Sequence, residues 1–434
     1  MQRPGTITQG HLDRFGAALR RRREEEGISL RRLAALASYS PGWLSKVENG
    51  LARPTLQLAE ACDRVLGADG ELAALARVTL SGVTWSFPPA QLPPGDGGNF
   101  VGRTAELRVL DGMLERATDT GTPLTVVVDG APGVGKTALA LRWAQTVRER
   151  FPDGVLHADL GGYGPDAAPT DPARVLTGFL IAFGVPAASL PAEPGQLAAV
   201  FRSLVAGRRV LVVLDDAGDA RQVRALLPTA PGSAAVVTSR RRLAALGGVA
   251  RLPVGPLTPV DAIALLQTVV GGRRVGAEPA SARFLAYACG HLPLALRIAA
   301  ERLAAGPHRM LRTLAADLAD PTSRLDMLAD GEDRGCAVRA AFDASYQRLD
   351  HEASLLFRLL GGDSRTEVTV LDAARLVRRP AAHVRRTLET LANEHLIVET
   401  GPERYRFEGL VRLYAMEHAA RARRTLDSER LARA

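Results

Sequence analysis

Residues 130–137, GAPGVGKT, lie between a strand-like apolar run, TPLTVVVD, and a helix-like run, TALALRWAQTV. No other feature constrains the fold as much. Glycines at a strand-to-helix junction let backbone N–H groups curl around phosphate oxygens, the helix N-terminus adds positive potential, and a lysine adds a full charge. Such a turn works at the C-terminal edge of an open parallel sheet. Apolar runs of strand length at 124–128, 155–160, 210–214 and 235–238 alternate with helical patterns across residues 99–256. Continuously apolar strands spaced by helices imply a parallel sheet covered on both faces, so α/β architecture is expected here.

The chemistry follows from what each strand delivers. Gly130, Gly133, Val134, Gly135, Lys136, Thr137 and Ala138 are the candidate phosphate-binding residues, with Lys136 at the β/γ end and the Thr137 hydroxyl on Mg²⁺. The run 210–214 ends in Asp215-Asp216. Asp215 is the candidate second Mg²⁺ ligand, and Asp216 is the candidate catalytic group that positions an attacking water. The run 235–238 leads to Ser239-Arg240, which places a guanidinium where it could sense a γ-phosphate. Asp216 is shorter than the glutamate of fast motors, so any hydrolysis is expected to be slow.

A chain of 434 residues suits three or four domains. Residues 1–80 read as short amphipathic helices punctuated by Gly27, Gly50 and Gly67. Ser29 can cap a second helix, and Ser40-Pro41 an N-capped third helix that ends near Glu48. Leu33, Ala34 and Ala37 face Leu44 and Val47, which leaves Pro41, Gly42, Trp43, Ser45 and Lys46 on the open side. Residues 1–55 hold ten Arg or Lys against five Asp or Glu, and the whole chain carries a formal charge of +8, so acidic partners such as nucleic acid are favoured. Lys46 and Lys136 are the two lysines of the chain. The run Arg20 to Arg23 is followed by Glu24 to Glu26, which suggests a solvated face paired at i,i+4.

Residues 81–98, with FPPAQLPPGDGG at 87–98, read as an extended Pro/Gly-rich linker. Residues 257–330 read as a helical domain. Residues 331–434 read as helices plus a hairpin at 395–407 centred on Gly401-Pro402, the outline of a winged helix. Cys62, Cys289 and Cys336 stand far apart with no metal-ligand or redox spacing, so reduced core positions are expected. No apolar run reaches membrane-span length and residues 1–10 have no apolar leader stretch, so the expected setting is cytoplasmic, with no membrane partner.

The segment 15–55, with GISLRRLAALASYSPGWLSKVENGLARPT at its heart, resembles the repressor-like (Xre/Cro) helix-turn-helix family. The resemblance implies double-stranded DNA as partner, with phosphate contacts near the second helix (Ser29, Arg31) and Arg53. It implies base contacts from Ser40, Pro41, Gly42, Trp43, Ser45 and Lys46. Leu30 stands where the family often has a polar residue.

Residues from about 99 to 414 resemble the NB-ARC class of STAND signalling NTPases. Phe100-Val101-Gly102-Arg103 is similar to the adenine-side element of that class, and Gly290-His291-Leu292-Pro293-Leu294 to the motif whose proline packs on adenine. The resemblance implies ATP/ADP with Mg²⁺ as ligands, a closed ADP state and an open, self-associating ATP state. Together the two resemblances imply a DNA-binding transcriptional regulator switched by ADP and ATP, and two other readings fit the same motifs: a signalling or defence ATPase whose N-terminal helices bind protein, and a DNA-stimulated ATPase. Relatives carry Met-His-Asp, whose histidine reaches the β-phosphate of ADP, where this chain has Phe407-Glu408-Gly409. An ionised glutamate cannot donate a hydrogen bond and repels phosphate. ADP is therefore expected to be held loosely, and Glu408→His is predicted to slow ADP release in stopped-flow chase experiments; an unchanged rate refutes this.

Overall fold

The computed structural model describes residues 9–80, 88–94, 98, 100–163, 169–329 and 338–433. The N-terminal part is five helices, Gln9–Glu25, Leu30–Leu36, Pro41–Glu48, Leu56–Leu66 and Glu71–Leu80. Ser29 accepts the Arg32 N–H and Ser40 the Trp43 N–H, so both expected caps start their helices. Phe15, Leu19, Leu33, Leu44, Val47, Leu58 and Cys62 form the core of this unit. Gly16 lets the first helix cross the third closely: a side-chain carbon there would lie 2.4 Å from the Glu48 carbonyl oxygen.

The arginine run keeps the expected i,i+4 pair, Arg21 to Glu25, and adds buried partners that its sequence does not announce. Arg23 binds buried Glu48, and Arg21 and Arg22 both reach Glu71, in addition to contacts with Glu24 and Glu25. The run is therefore a clamp that closes the helical unit, because a buried carboxylate outcompetes an exposed one for a cation when the pair is shielded from water. Glu71 is 3% exposed and also accepts the hydroxyl of Ser203, in the helix Pro194–Val205 of the central part. The helix-turn-helix unit is thus docked on that helix, with Gln196 donating to the Asp69 carbonyl nearby.

Centrally, the described residues form a five-stranded parallel sheet in the order β2-β3-β4-β1-β5, with β1 Leu124–Gly130, β2 Gly154–Asp159, β3 Val210–Ala217, β4 Ala234–Ser239 and β5 Ala250–Val254. Alternate residues enter opposite cores. Val126 and Val128 pack with Trp143 and Leu139 of the helix Lys136–Val147, whereas Val127 packs with Phe179 and Phe201 on the other face. Strand β5 was not anticipated; Arg251 and Pro253 interrupt its apolar run, as an edge strand tolerates. The segment expected to extend freely as a linker is held in its middle. Gln91 donates to the Val155 carbonyl and Val155 to that of Pro89, so this stretch pairs with edge strand β2.

Helices Pro259–Val270, Gly272–Ala277, Pro279–Ala288, Pro293–Ala305, Leu311–Asp317 and Arg324–Met327 follow, sharing one hydrophobic core with the sheet. The C-terminal part comprises helices Val338–Tyr346, His351–Gly361, Val370–Val377, Ala381–Asn393 and Gly409–Arg433, with a three-stranded antiparallel sheet in the order β6-β8-β7. Its strands are β6 Glu367–Thr369, β7 Val398–Gly401 and β8 Arg404–Arg406, a winged-helix arrangement. The hairpin lies where expected, while three-residue β6 gave no sequence signal. Cys62 and Cys289 are buried, and burial pushes both thiols up to about 12. Cys336 lies outside the described residues. Among the described residues no helix is long and apolar enough to cross a membrane.

The Gly16 crossing yields a prediction. Gly16→Ala forces two helices apart against backbone, costing about 1–3 kcal/mol. Amide hydrogen exchange over residues 12–66 of the full chain should accelerate accordingly, with residues 124–130 unchanged.

Candidate nucleotide site and nucleic-acid interface

A cavity of about 470 Å³ opens where β1, β3 and β4 end, a size suited to a small ligand. It brings together residues far apart in the chain: Phe100, Val101 and Arg103, the run Gly133 to Ala138, Asp215, Asp216, Arg240 and Pro293. Gly133 and Gly135 take φ of +76° and +89°, the left-handed conformation that a phosphate-cradling turn requires. A side-chain carbon on Gly133 would lie 3.0 Å from Leu294, and the Leu294 N–H donates to the Gly133 carbonyl. The helical part is therefore hydrogen-bonded to the glycine turn itself.

Three expected binding residues do not line the cavity. Gly102, Gly130 and Leu292 shape it from behind: a carbon on Gly102 would strike Asp261 at 2.5 Å, one on Gly130 the Val254 carbonyl at 2.3 Å, and Leu292 packs beside Gly133. Arg103 lines the cavity, but its guanidinium is committed to the carbonyls of Val134 and Gly255 and to Glu106. It braces the turn against the end of β5.

At the phosphate end, Lys136 is buried and donates to the carbonyls of Gly130 and Ala131, both at 3.0 Å. Burial, and then Arg240, hold its ammonium down to about 7, with Asp216, Asp215 and Asp129 pulling the other way. Thr137 donates to Asp215 at 2.8 Å. A hydroxyl and a carboxylate already in contact are a hard oxygen pair of the kind Mg²⁺ takes alongside phosphate oxygens, so these residues fit the ion. Strand β3 has a register shift between Leu214 and Ala217, and Asp216 sits at φ +50°. That bulge turns both carboxylates toward the cavity.

Sequence reasoning missed Thr238. Its hydroxyl donates to Asp215 at 2.5 Å and accepts the Asp216 N–H at 2.9 Å, so one buried side chain fixes both acids. Its signal was a threonine closing an otherwise aliphatic strand. Leu294 of the GHLPL motif also lines the cavity, as do Leu141, Leu257, Leu265 and Arg297, which stand in no recognisable motif. Asp216 is less free than expected. One oxygen accepts the Tyr163 N–H at 2.9 Å, the other lies 3.9 Å from Arg240, and burial pushes its carboxyl up while those two partners oppose the shift. Glu408 does not line the cavity; it faces Arg406, and its carbonyl accepts the Val411 N–H.

On the helix-turn-helix unit, Ser29, Arg31, Ser40, Pro41, Gly42, Trp43, Lys46 and Arg53 are exposed and Ser45 is half-buried. The carbonyl of Ser45 accepts the Asn49 side-chain amide, which orients that end of the third helix. Docking on the helix Pro194–Val205 leaves this whole face open.

Residues 14–76 match the family profile of a helix-turn-helix domain, and residues 99–252 that of an AAA ATPase domain. The chain joins a helix-turn-helix domain to an AAA ATPase domain. It is homologous to two curated regulatory proteins called AfsR. It is 42% identical over 376 residues to that of Streptomyces coelicolor, covering 86% of this chain and 37% of the relative. It is 40% identical over 392 residues to that of Streptomyces griseus, covering 90% and 39%. The chain thus spans under two fifths of the relatives' length. Among solved structures, the Aeropyrum pernix ORC2 protein in ADPNP and ADP complexes aligns at 14% identity and a TM-score of 0.43, covering 77% of this chain and 96% of that one. A STAND protein with a tetratricopeptide repeat sensor from Pyrococcus horikoshii aligns at 19% identity and a TM-score of 0.32, covering 75% and 43%.

The depressed Lys136 sets the sign of a pH effect. Phosphate stabilises the charged ammonium, so binding raises its pKa. Above pH 7 binding must then take up a proton, and affinity must fall as pH rises; below pH 7 the lysine is already charged. Calorimetry at pH 8 in buffers of different ionisation enthalpy should show uptake of about one proton per nucleotide. Lys136→Met should abolish that uptake and most of the affinity.

Proposed function

We propose that the chain is a DNA-binding transcriptional regulator whose state is set by ADP or ATP in an NB-ARC-like ATPase domain of the STAND type, preceded by an Xre-like reading head. The observation that carries this reading is that Arg240, at the phosphate end of the cavity, donates to the Ala341 carbonyl of the winged-helix part at 2.6 Å. On this reading the group that meets a third phosphate is also a joint between domains.

In this reading the turn from Gly133 to Ala138, with Lys136, holds the phosphates, while Phe100, Val101 and Pro293 border the base. Thr137 and Asp215 would hold Mg²⁺, which neutralises phosphate charge when bound. With ADP, Arg240 stays on Ala341 and the winged helix stays docked. A γ-phosphate draws Arg240 away and favours the open form. The helix-turn-helix domain presents Ser40, Pro41, Gly42, Trp43, Ser45 and Lys46 to the major groove, with Ser29, Arg31 and Arg53 near phosphates. Self-association of open molecules would pair reading heads and raise affinity through effective concentration. Hydrolysis is slow, because Asp216 is occupied by the Tyr163 N–H and faces a cation, a poor setting for a general base.

Selection of bound fragments from genomic DNA by the full chain, with ADP and with a non-hydrolysable ATP analogue, tests both ends of the proposal. Specific sites should be recovered more strongly with the analogue, and Lys136→Met should erase the difference. No specific recovery in either state removes the DNA-binding reading, and equal recovery removes the switch.

A further inference from the structure

We propose that Tyr163 is the positioning residue through which the winged helix is coupled to the phosphate site, an inference that rests on the switch proposed above. Tyr163 follows β2 and is 5% exposed. Its N–H, its hydroxyl and its ring each have a partner, and the partners come from both sides of the domain boundary. Its N–H donates to Asp216, as described. Its hydroxyl donates at 2.9 Å to Glu394, a winged-helix carboxylate only 3% exposed, whose other oxygen pairs with Arg241 at 3.0 Å. Two guanidiniums lie over its ring: Arg240 of the ATPase domain at 4.6 Å and Arg348 of the winged-helix part at 4.7 Å from the centroid.

Gly162, next to Tyr163, is itself fixed. The Gly162 N–H donates to the Asp216 carbonyl at 2.7 Å, and a side-chain carbon on Gly162 would lie 2.4 Å from the Gly218 nitrogen. The Gly162 carbonyl in turn accepts from Arg348 at 2.5 Å. Tyr163 is therefore fixed to the end of β3 on one side and gripped by winged-helix residues on the other. A buried aromatic serving packing alone needs neither a charged hydrogen-bond partner nor two cations on its face.

The consequence is a defined order of events. When Arg240 moves toward a third phosphate it leaves the ring and the Ala341 carbonyl together, and Asp216 loses its neighbouring cation. The remaining grip on Tyr163, from Arg348 and Glu394, then has to hold the winged helix with fewer partners. Tyr163 thus makes docking of that domain depend on where Arg240 points.

The test uses the full chain, with hydrogen exchange at residues 338–346 and 394–398 read in ADP and in a non-hydrolysable ATP analogue, and with ADP affinity from calorimetry. The wild type should exchange at least about fivefold faster there with the analogue. Tyr163→Leu should exchange fast in both states, with ADP affinity kept within about threefold. Tyr163→Phe, which keeps the ring and loses the Glu394 bond, should retain a smaller nucleotide-dependent difference. Arg348→Met, which removes the winged-helix cation, should behave like Tyr163→Leu and decides the matter if that variant does not fold. Wild-type behaviour in Tyr163→Leu or Arg348→Met overturns the inference while leaving the switch standing. Loss of ADP affinity beyond about tenfold in Tyr163→Leu also overturns it, by assigning the residue to ligand binding. A wild type that binds both nucleotides with no difference in exchange overturns the switch, and this inference with it.

Discussion

Arg240 is a permanently charged group largely removed from water, and its position depends on what satisfies that charge. Its surroundings offer Asp216 at 3.9 Å, the Ala341 carbonyl at 2.6 Å and the Tyr163 ring. A buried cation loses much of its hydration, so whatever supplies the strongest compensating charge decides where it sits. One of these partners belongs to the winged-helix part. Domain docking and compensation of the Arg240 charge are therefore one problem with one solution, and on the proposed reading a new anion in the cavity changes the solution.

The reading head is joined to this arrangement by a second buried charge. Glu71 ties Arg21 and Arg22 of the first helix to Ser203 of the ATPase domain. Together with the Gln196 bond to the Asp69 carbonyl and the pairing of Pro89 to Gln91 along β2, it attaches the chain across what composition alone marks as an extended linker. Because the exposed face of the third helix is left open by this contact, the head proposed to read DNA need not undock to do so. Its orientation follows the ATPase domain, so a rearrangement that pairs two ATPase domains also fixes the relative placement of two heads. On the proposed reading, a geometric relation between half-sites is then a property of the assembly and not of the head alone.

What the sequence made legible was local. The glycine turn, Asp215-Asp216 and Ser239-Arg240 each sit where an apolar strand stops, and the caps at Ser29 and Ser40 announce their helices, so short-range rules suffice. The less legible features are of two kinds. Strands β5 and β6 are short or interrupted by Arg251 and Pro253, and they exist because a neighbouring strand completes their hydrogen bonding. Glu71, Tyr163, Thr238 and Glu394 are single residues with no motif, and their roles come from partners as distant as the 231 positions separating Tyr163 from Glu394. The run Arg20 to Arg23 shows the same limit. Its nearest acids in sequence were Glu24 to Glu26, yet folding places Glu48 and Glu71 within reach and shields them, which makes them the stronger partners.

The two ends of the cavity are joined to the C-terminal part in physically different ways. At the base end, Gly290 of the GHLPL turn meets Gly409, where a side-chain carbon would sit 3.4 Å from the Gly290 Cα, so the seam is backbone against backbone. At the phosphate end the joints are ionic or hydrogen-bonded: Arg240 to Ala341, Arg241 to Glu394, and His395 to Asp129 at 3.1 Å, one residue before the glycine turn. Adenine is common to ATP and ADP, so a seam at the base end meets the same surface in both. On the proposed reading the phosphate end alone experiences the change in charge, and it is there that the polar joints lie. A close glycine seam can act as the fixed pivot while the polar joints exchange partners, because dispersion contacts are indifferent to charge and Arg240 is not.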